Sequence, residues 1–339
     1  MTLKPARKTP GPAGVAMAGT GMSVPPRILT NADLERMVET SDEWIVQRTG
    51  IRTRHIGQPG DRTRDLAVAA VGQALQRAGL EPTDLDLLLC ATMTPDMICP
   101  ALSCQVVADL GAIPAGAMDI NIACTGFVAA LTHGSNAVMS GHFRNVAVVA
   151  AEMLTRIVDW EDRSTCVLFG DAASAAILTA SDDPDQGCYF QQMGSDGYRG
   201  QVLYVPEREQ DVPESEADNF SGRYGTLQMN GKAVYKFAVE KLAECVGDAL
   251  DATGLTADDI AMVIPHQSNI RMLKSAWKRL GFDESKIHMN IDRYGNTSAA
   301  SVGICLHELV EAGTVGPGDY VIFVAQGGGL SWGTCLWKL

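Results

Sequence analysis

A repeat constrains the fold of this chain more than any other feature of its sequence. The stretches LAVAAVGQALQRAGLEPTDLDLLLCATMTP (66–95) and KLAECVGDALDATGLTADDIAMVIPHQSNI (241–270) follow one pattern. Each is an amphipathic helix stopped at Gly-Leu, then a short acidic linker, then an apolar strand. Gly79 and Gly254 stand 175 residues apart, as do Asn121 and Asn296, and as do VAVVA (146–150) and VIFVA (321–325). Three separate elements hold one register without a gap, which chance similarity between α/β segments does not usually sustain. The chain therefore reads as a duplication. Each copy alternates helices with continuous apolar strands, the pattern of a sheet covered on both faces by helices.

The repeat sets the expected boundaries. Residues 1–13 form a polar, Pro- and Lys-rich tail without the apolar core of a secretory signal, read as disordered. The first half spans 14–185 and the second 226–339; between them 186–225, with its acidic run EREQDVPESEADNFSGRYG, reads as an exposed connection. Apolar runs such as NVAVVAAEML are too short to span a bilayer. A net charge of −13 argues against a general nucleic-acid or anionic-membrane binder, since both need a broad basic surface. Nine cysteines lie scattered without CxxC pairs or metal-site spacing, which implies free thiols in a reducing cytoplasm.

The same offset separates what the halves do not share. Cys124 falls on Ala299, and His266 falls on Ala91. A duplicated scaffold with one reactive group per half suits a single site built across an internal pseudo-twofold. Cys124 stands where the strand DINIA hands over to CTGFVAALTHG, a helix of small residues. The helix dipole and unpaired N–H groups at a first turn are expected to lower the thiol pKa and favour the thiolate nucleophile. The plain alternative is a core cysteine. His266 follows the strand MVIP at its carboxyl end, where ligands bind in α/β folds, although a lone histidine there also serves structure. Asn296 sits in DRYGNTSAAS and reads either as a helix N-cap or as an amide donor. In QGGGLSWG the successive glycines Gly327, Gly328 and Gly329 bring bare backbone N–H groups close, as a tight turn or an oxyanion hole.

Taken in order, GTGMSVPPRILTNADLERMVETSDEWIVQRTGIRTRHI, DINIACTGF, DWEDRSTCVLFGDAASAAIL, IPHQSNIRM, DRYGNTSAAS and GGGLSWG resemble the β-ketoacyl-acyl carrier protein synthase III family, over residues 14–339. The resemblance implies a thiolase fold, two duplicated α/β halves in an α-β-α-β-α layered arrangement. It implies a Cys-His-Asn triad on Cys124, His266 and Asn296, with the N–H groups of Cys124 and Gly328 as oxyanion hole. The implied reaction joins an acyl-CoA primer to malonyl-acyl carrier protein through an acyl-cysteine, in a cytoplasmic homodimer, with no metal or redox cofactor. For CoA it implies Trp44 and Arg163 around the adenine, Arg48 at phosphate, Thr40 nearby, and Gly231 and Asn269 along the pantetheine channel. The carrier protein is acidic; Arg271, Lys274 and Lys278 share one helix face beside His266, with Arg279 adjacent, and form the expected docking patch.

Two positions depart from the family pattern. Gln326 stands where the family commonly has Phe beside the thiol, and Cys99 where a bulkier side chain, supplied by the partner subunit, often limits acyl length. A thiolase-fold paralogue of secondary metabolism, transferring or condensing another acyl group, is therefore the alternative. A papain-like hydrolase shares the Cys, His, Asn order but neither the duplication nor the small-residue helix. A non-catalytic thiolase-fold partner would not need the intact triad.

Overall fold

A computed structural model describes residues 11–339, so most of the expected N-terminal tail lies outside the described residues. The two helices that opened the repeat, Thr63–Ala78 and Gly231–Thr253, both end at a left-handed glycine, Gly79 at φ 66° and Gly254 at φ 71°. Only glycine takes that conformation without a Cβ penalty, so the two stop signals act alike.

The first half builds a five-stranded sheet. Its order is Gly14–Ser23, Asp171–Ser181, Asn145–Met153, Leu87–Ala91, Gly116–Ile120. The last three run parallel; Asp171–Ser181 is antiparallel to both its neighbours. The second half repeats the plan with four strands: Gly187–Ser195, Ser331–Lys338, Tyr320–Gly327, Ile260–Pro265. Tyr320–Gly327 and Ile260–Pro265 are parallel and the other pairs antiparallel. At the fifth position only a single bridge, Val263 to Ile287, remains. The segment 186–225 is thus not connection throughout. It opens with Gly187–Ser195, the edge strand of the second sheet, and the second half reaches back past residue 226.

The two sheets face each other across a core that includes the helices Gly126–Met139 and Ala300–Glu311. Thr63–Ala78 and Leu102–Leu110 cover the outer face of the first sheet. Gly231–Thr253 and Ile270–Leu280 cover the second. The result is the α-β-α-β-α stack of the thiolase fold. Asn145–Met153 is buried at every residue, as expected of a strand covered on both sides. No helix among the described residues is long and apolar enough to cross a membrane.

The central layer is thin because its contacts are small. A Cβ on Gly126 would lie 2.7 Å from that of Ala91 and 3.1 Å from that of Ala299. A Cβ on Gly303 would lie 2.3 Å from Ser174 Oγ and 2.7 Å from the Phe127 ring. Gly303→Ala is therefore expected to overpack this layer at a cost of about 1–3 kcal/mol. Thermal denaturation should register a fall of several degrees; an unchanged midpoint would contradict the packing described.

Candidate active site

Between the strand Gly116–Ile120 and the helix Gly126–Met139 the chain makes a strained turn. Ala123 holds φ at 46°, in the left-handed region that a Cβ disfavours. That turn places Cys124 at the top of the helix, 8% exposed. The Ser298 hydroxyl donates to the Cys124 sulfur at 3.5 Å, and the backbone N–H groups of Cys124 and Gly328 favour its anion. Gly327 makes the approach possible: a Cβ there would fall 2.8 Å from both the nitrogen and the Cβ of Cys124.

The expectation of a lowered thiol pKa is not met. Burial dominates and, with the charge of Glu152 adding to it, pushes the thiol up to about 11. The Ser298 hydroxyl and the two N–H groups pull the other way and do not offset the loss of hydration. At neutral pH the Cys124 sulfur is held as a thiol, not as a standing thiolate.

His266 leaves the strand Ile260–Pro265 and donates its N–H to Val324 O at 2.8 Å. It is 1% exposed, and burial drives the imidazole down to about 3, so the ring is neutral at working pH. Its Nδ1 lies 2.7 Å from Ser301 Oγ, and Nε2 has no protein partner among the described residues. Asn296 is anchored to the first half: its N–H donates to Leu168 O at 2.8 Å, and its C=O accepts from the Gly170 N–H at 3.0 Å. Its Oδ1 accepts the Ser298 N–H at 2.9 Å, and Asn296 stands four positions before Ala300, where the helix Ala300–Glu311 begins with Ala299 at its N-cap. Asn296 is therefore not that helix's N-cap. With Oδ1 engaged, its NH2 is the end left to donate.

Cys124, His266, Asn296 and Gly328 line one cavity of about 1060 Å³, together with Trp44, Arg48, Gly231, Asn269 and Arg271. Asn269 also caps the helix Ile270–Leu280, accepting the Arg271 N–H at 2.8 Å and donating to Arg48 O at 3.0 Å. Thr40 and Arg163 stand outside the lining. The Arg163 guanidinium lies 4.8 Å over the Trp44 ring and donates to Glu39 O at 2.8 Å; that of Arg48 lies 5.9 Å from the same ring. Arg163 thus already occupies one face of the indole. Thr40 Oγ1 is buried without a partner among the described residues. Arg271, Lys274, Lys278 and Arg279 are all exposed, and none makes an ion pair among the described residues. Gln326 is 4% exposed on the cavity wall, with neither amide atom hydrogen-bonded by the protein.

Three contributors went unread in the sequence. Glu152 accepts from Thr94 Oγ1 at 2.6 Å and from the Met93 N–H at 3.2 Å, and burial raises its carboxyl to about 7. It is the lone acid in the apolar run NVAVVAAEML, and that isolation was the available signal. Ser298 and Ser301, in NTSAAS, contact the sulfur and the imidazole. A thiol with its pKa near 11 is tenfold less ionised for each unit that the pH lies below that value. Alkylation of Cys124 by iodoacetamide, followed on its own peptide by mass spectrometry, should therefore rise about tenfold per unit from pH 7 to 9. A plateau below pH 8 would contradict this.

The family model for 3-oxoacyl-[acyl-carrier-protein] synthase III matches residues 118–197, and that for its C-terminal part matches 250–339. A β-ketoacyl-[acyl-carrier-protein] synthase III of Caldanaerobacter subterraneus subsp. tengcongensis is 45% identical over 94% of this chain and 96% of its own. The crystal structure of 3-oxoacyl-[acyl-carrier-protein] synthase III from Aquifex aeolicus superposes with a TM-score of 0.89 at 40% identity, covering 96% of this chain and all of that one. The priming β-ketosynthase of the R1128 polyketide pathway superposes with a TM-score of 0.90 at 36% identity, over 98% and 99% of the two chains. By sequence and by fold, the chain belongs to the β-ketoacyl-[acyl-carrier-protein] synthase III family of acyltransferases.

Proposed function

We propose that this acyltransferase performs a decarboxylating Claisen condensation, joining an acyl-CoA primer to malonyl-acyl carrier protein at the start of fatty acid synthesis. One observation carries the reading. A sulfur beneath two backbone N–H groups shares a single cavity with a neutral imidazole and a carboxamide whose free end is a donor.

In the first half-reaction the Cys124 sulfur attacks the acyl-CoA carbonyl. The oxyanion forms against the Cys124 and Gly328 N–H groups, where two fixed donors in a dry site stabilise the charge as it develops. Acyl-Cys124 forms, the C–S bond to CoA breaks, and the thiol proton ends on CoA. Because the thiol is protonated at rest, proton loss accompanies attack. In the second half-reaction His266 Nε2–H and Asn296 Nδ2–H hold the malonyl thioester carbonyl. The C–C bond to the carboxylate breaks, CO2 leaves, and the electron pair moves into an enolate that those donors stabilise. A neutral imidazole suits this role, since decarboxylation itself supplies the carbanion and no proton need be abstracted. The enolate carbon attacks acyl-Cys124, and the Cys124 sulfur leaves and regains a proton.

Trp44, Arg48, Arg163, Thr40, Gly231 and Asn269 are the proposed CoA contacts. Arg163 would swing off the indole to admit the adenine, since a 4.8 Å separation has no room for a ring between. The four cations of the helix Ile270–Leu280 would meet the acidic carrier protein, and their freedom from ion pairs supports this. A second copy is proposed along the edge strand Gly116–Ile120, paired on one side only, with Met118, Ile98 and Ile113 exposed by 51%, 97% and 66%. Nine free thiols suit the cytoplasm. The unpartnered amide of Gln326 supports the second reading, a paralogue whose acyl group carries a hydrogen-bonding substituent.

Cys124→Ala should abolish acyl transfer from acyl-CoA, read as loss of the acyl-enzyme mass. His266→Ala and Asn296→Ala should form acyl-enzyme yet lose decarboxylation by about 100-fold or more, the scale of losing one oxyanion donor. Acyl-enzyme on Cys124→Ala, or unimpaired decarboxylation in His266→Ala, would refute the assignment.

A further inference from the structure

Ser301 lies in the first turn of the helix Ala300–Glu311 and is 2% exposed. Its hydroxyl has one proton and three polar neighbours. The Gln267 N–H donates to Oγ at 3.2 Å, His266 Nδ1 lies 2.7 Å away, and Ser298 C=O lies 2.9 Å away. The Gln267 N–H can only donate, and the Ser298 carbonyl can only accept. The single hydroxyl proton therefore has two destinations.

Directed at Nδ1, it leaves the one proton of the neutral ring on Nε2, which then faces the cavity as a donor. Directed at Ser298 O, it requires Nδ1 to carry the ring proton and donate to Oγ, because two bare lone pairs do not meet at 2.7 Å. Nε2 is then bare and can only accept. The orientation of one buried hydroxyl thus decides what the imidazole offers to substrate.

We propose that Ser301 is a positioning residue: by donating to Nδ1 it holds His266 in the Nε2–H form that the decarboxylation half-reaction needs. This rests on the reading above, in which His266 donates to the malonyl thioester. Without the hydroxyl, nothing donates to Nδ1, and the Ser298 carbonyl, which accepts from the Ser301 hydroxyl at 2.9 Å, is left as the acceptor that favours Nδ1–H and so removes the proton from Nε2. Acylation, which uses the Cys124 and Gly328 N–H groups, does not depend on this choice.

Three variants, Ser301→Ala, Ser301→Thr and His266→Ala, separate the half-reactions. Acyl-enzyme formation from acetyl-CoA is read by mass, and 14CO2 release from malonyl-acyl carrier protein gives the second half. Ser301→Ala is expected to acylate within about threefold of wild type and to decarboxylate about 100-fold more slowly, the scale of losing one oxyanion-type donor; Ser301→Thr restores the rate. Equal losses in both half-reactions, or no loss in either, overturn the proposal. A second measurement needs no variant. The imidazole 15N spectrum of His266 in [15N]His-labelled acyl-enzyme should have the proton on Nε2, and a proton on Nδ1 alone overturns the proposal. If His266→Ala decarboxylates normally, the functional reading itself fails. If His266→Ala is slow while Ser301→Ala is unimpaired, only the present inference fails.

Discussion

The site depends on how closely the first turn of the helix Gly126–Met139 can approach the opposite half. Gly126 is squeezed between Ala91 and Ala299, at distances that leave no room for any side chain. Those two alanines are the repeat partners of His266 and Cys124. The positions that carry chemistry in one half are therefore the positions that carry packing in the other. A duplicated scaffold could have built two sites. This one gives one set of equivalent positions to the smallest apolar residues, and the halves close until nucleophile, imidazole and carboxamide share one cavity. Gly327 extends the same logic to the loop that brings the Gly328 N–H onto the sulfur.

Closure has an electrostatic cost. A thiol, a histidine and a glutamic acid all lose their hydration, and each shifts toward its neutral form: Cys124 and Glu152 upward, His266 downward. For His266 the shift would serve the proposed chemistry, since a neutral donor stabilises an enolate without a competing charge. For Cys124 it would, in the proposed reaction, delay ionisation until the acyl carbonyl arrives. In the proposed reaction, the N–H groups that do not ionise the resting thiol would meet the oxyanion, where charge appears only as the reaction proceeds.

Much of the fold could be read from the chain because periodicity and glycine stops are local signals. The offset between Gly79 and Gly254 located the duplication, and the small residues after Cys124 marked a closely packed helix, the one that the structure places in the central layer. Gly187–Ser195 escaped notice because an edge strand exposes one face, and CYFQQMGS alternates polar with apolar before a polar acidic run. The fifth strand of the second sheet is reduced to one bridge, which no pattern announces. At the site, residue types at strand ends pointed to Cys124, His266, Asn296 and the glycine loop. The thiol pKa was misjudged because a helix dipole is visible in sequence and desolvation is not. Glu152, Ser298 and Ser301 gain their meaning only from contacts made across the fold. The same holds for Arg163 on Trp44, 119 positions apart in the chain.

The most direct test of one shared cavity is a single turnover on the unmodified enzyme. Labelled acyl-CoA is added first, the peptides are mapped, and malonyl-acyl carrier protein follows. The account requires the label on the Cys124 peptide alone, then its complete passage to the carrier protein with one CO2 released per label. Label on another residue, or label discharged to water while the malonyl group stays intact, would contradict it.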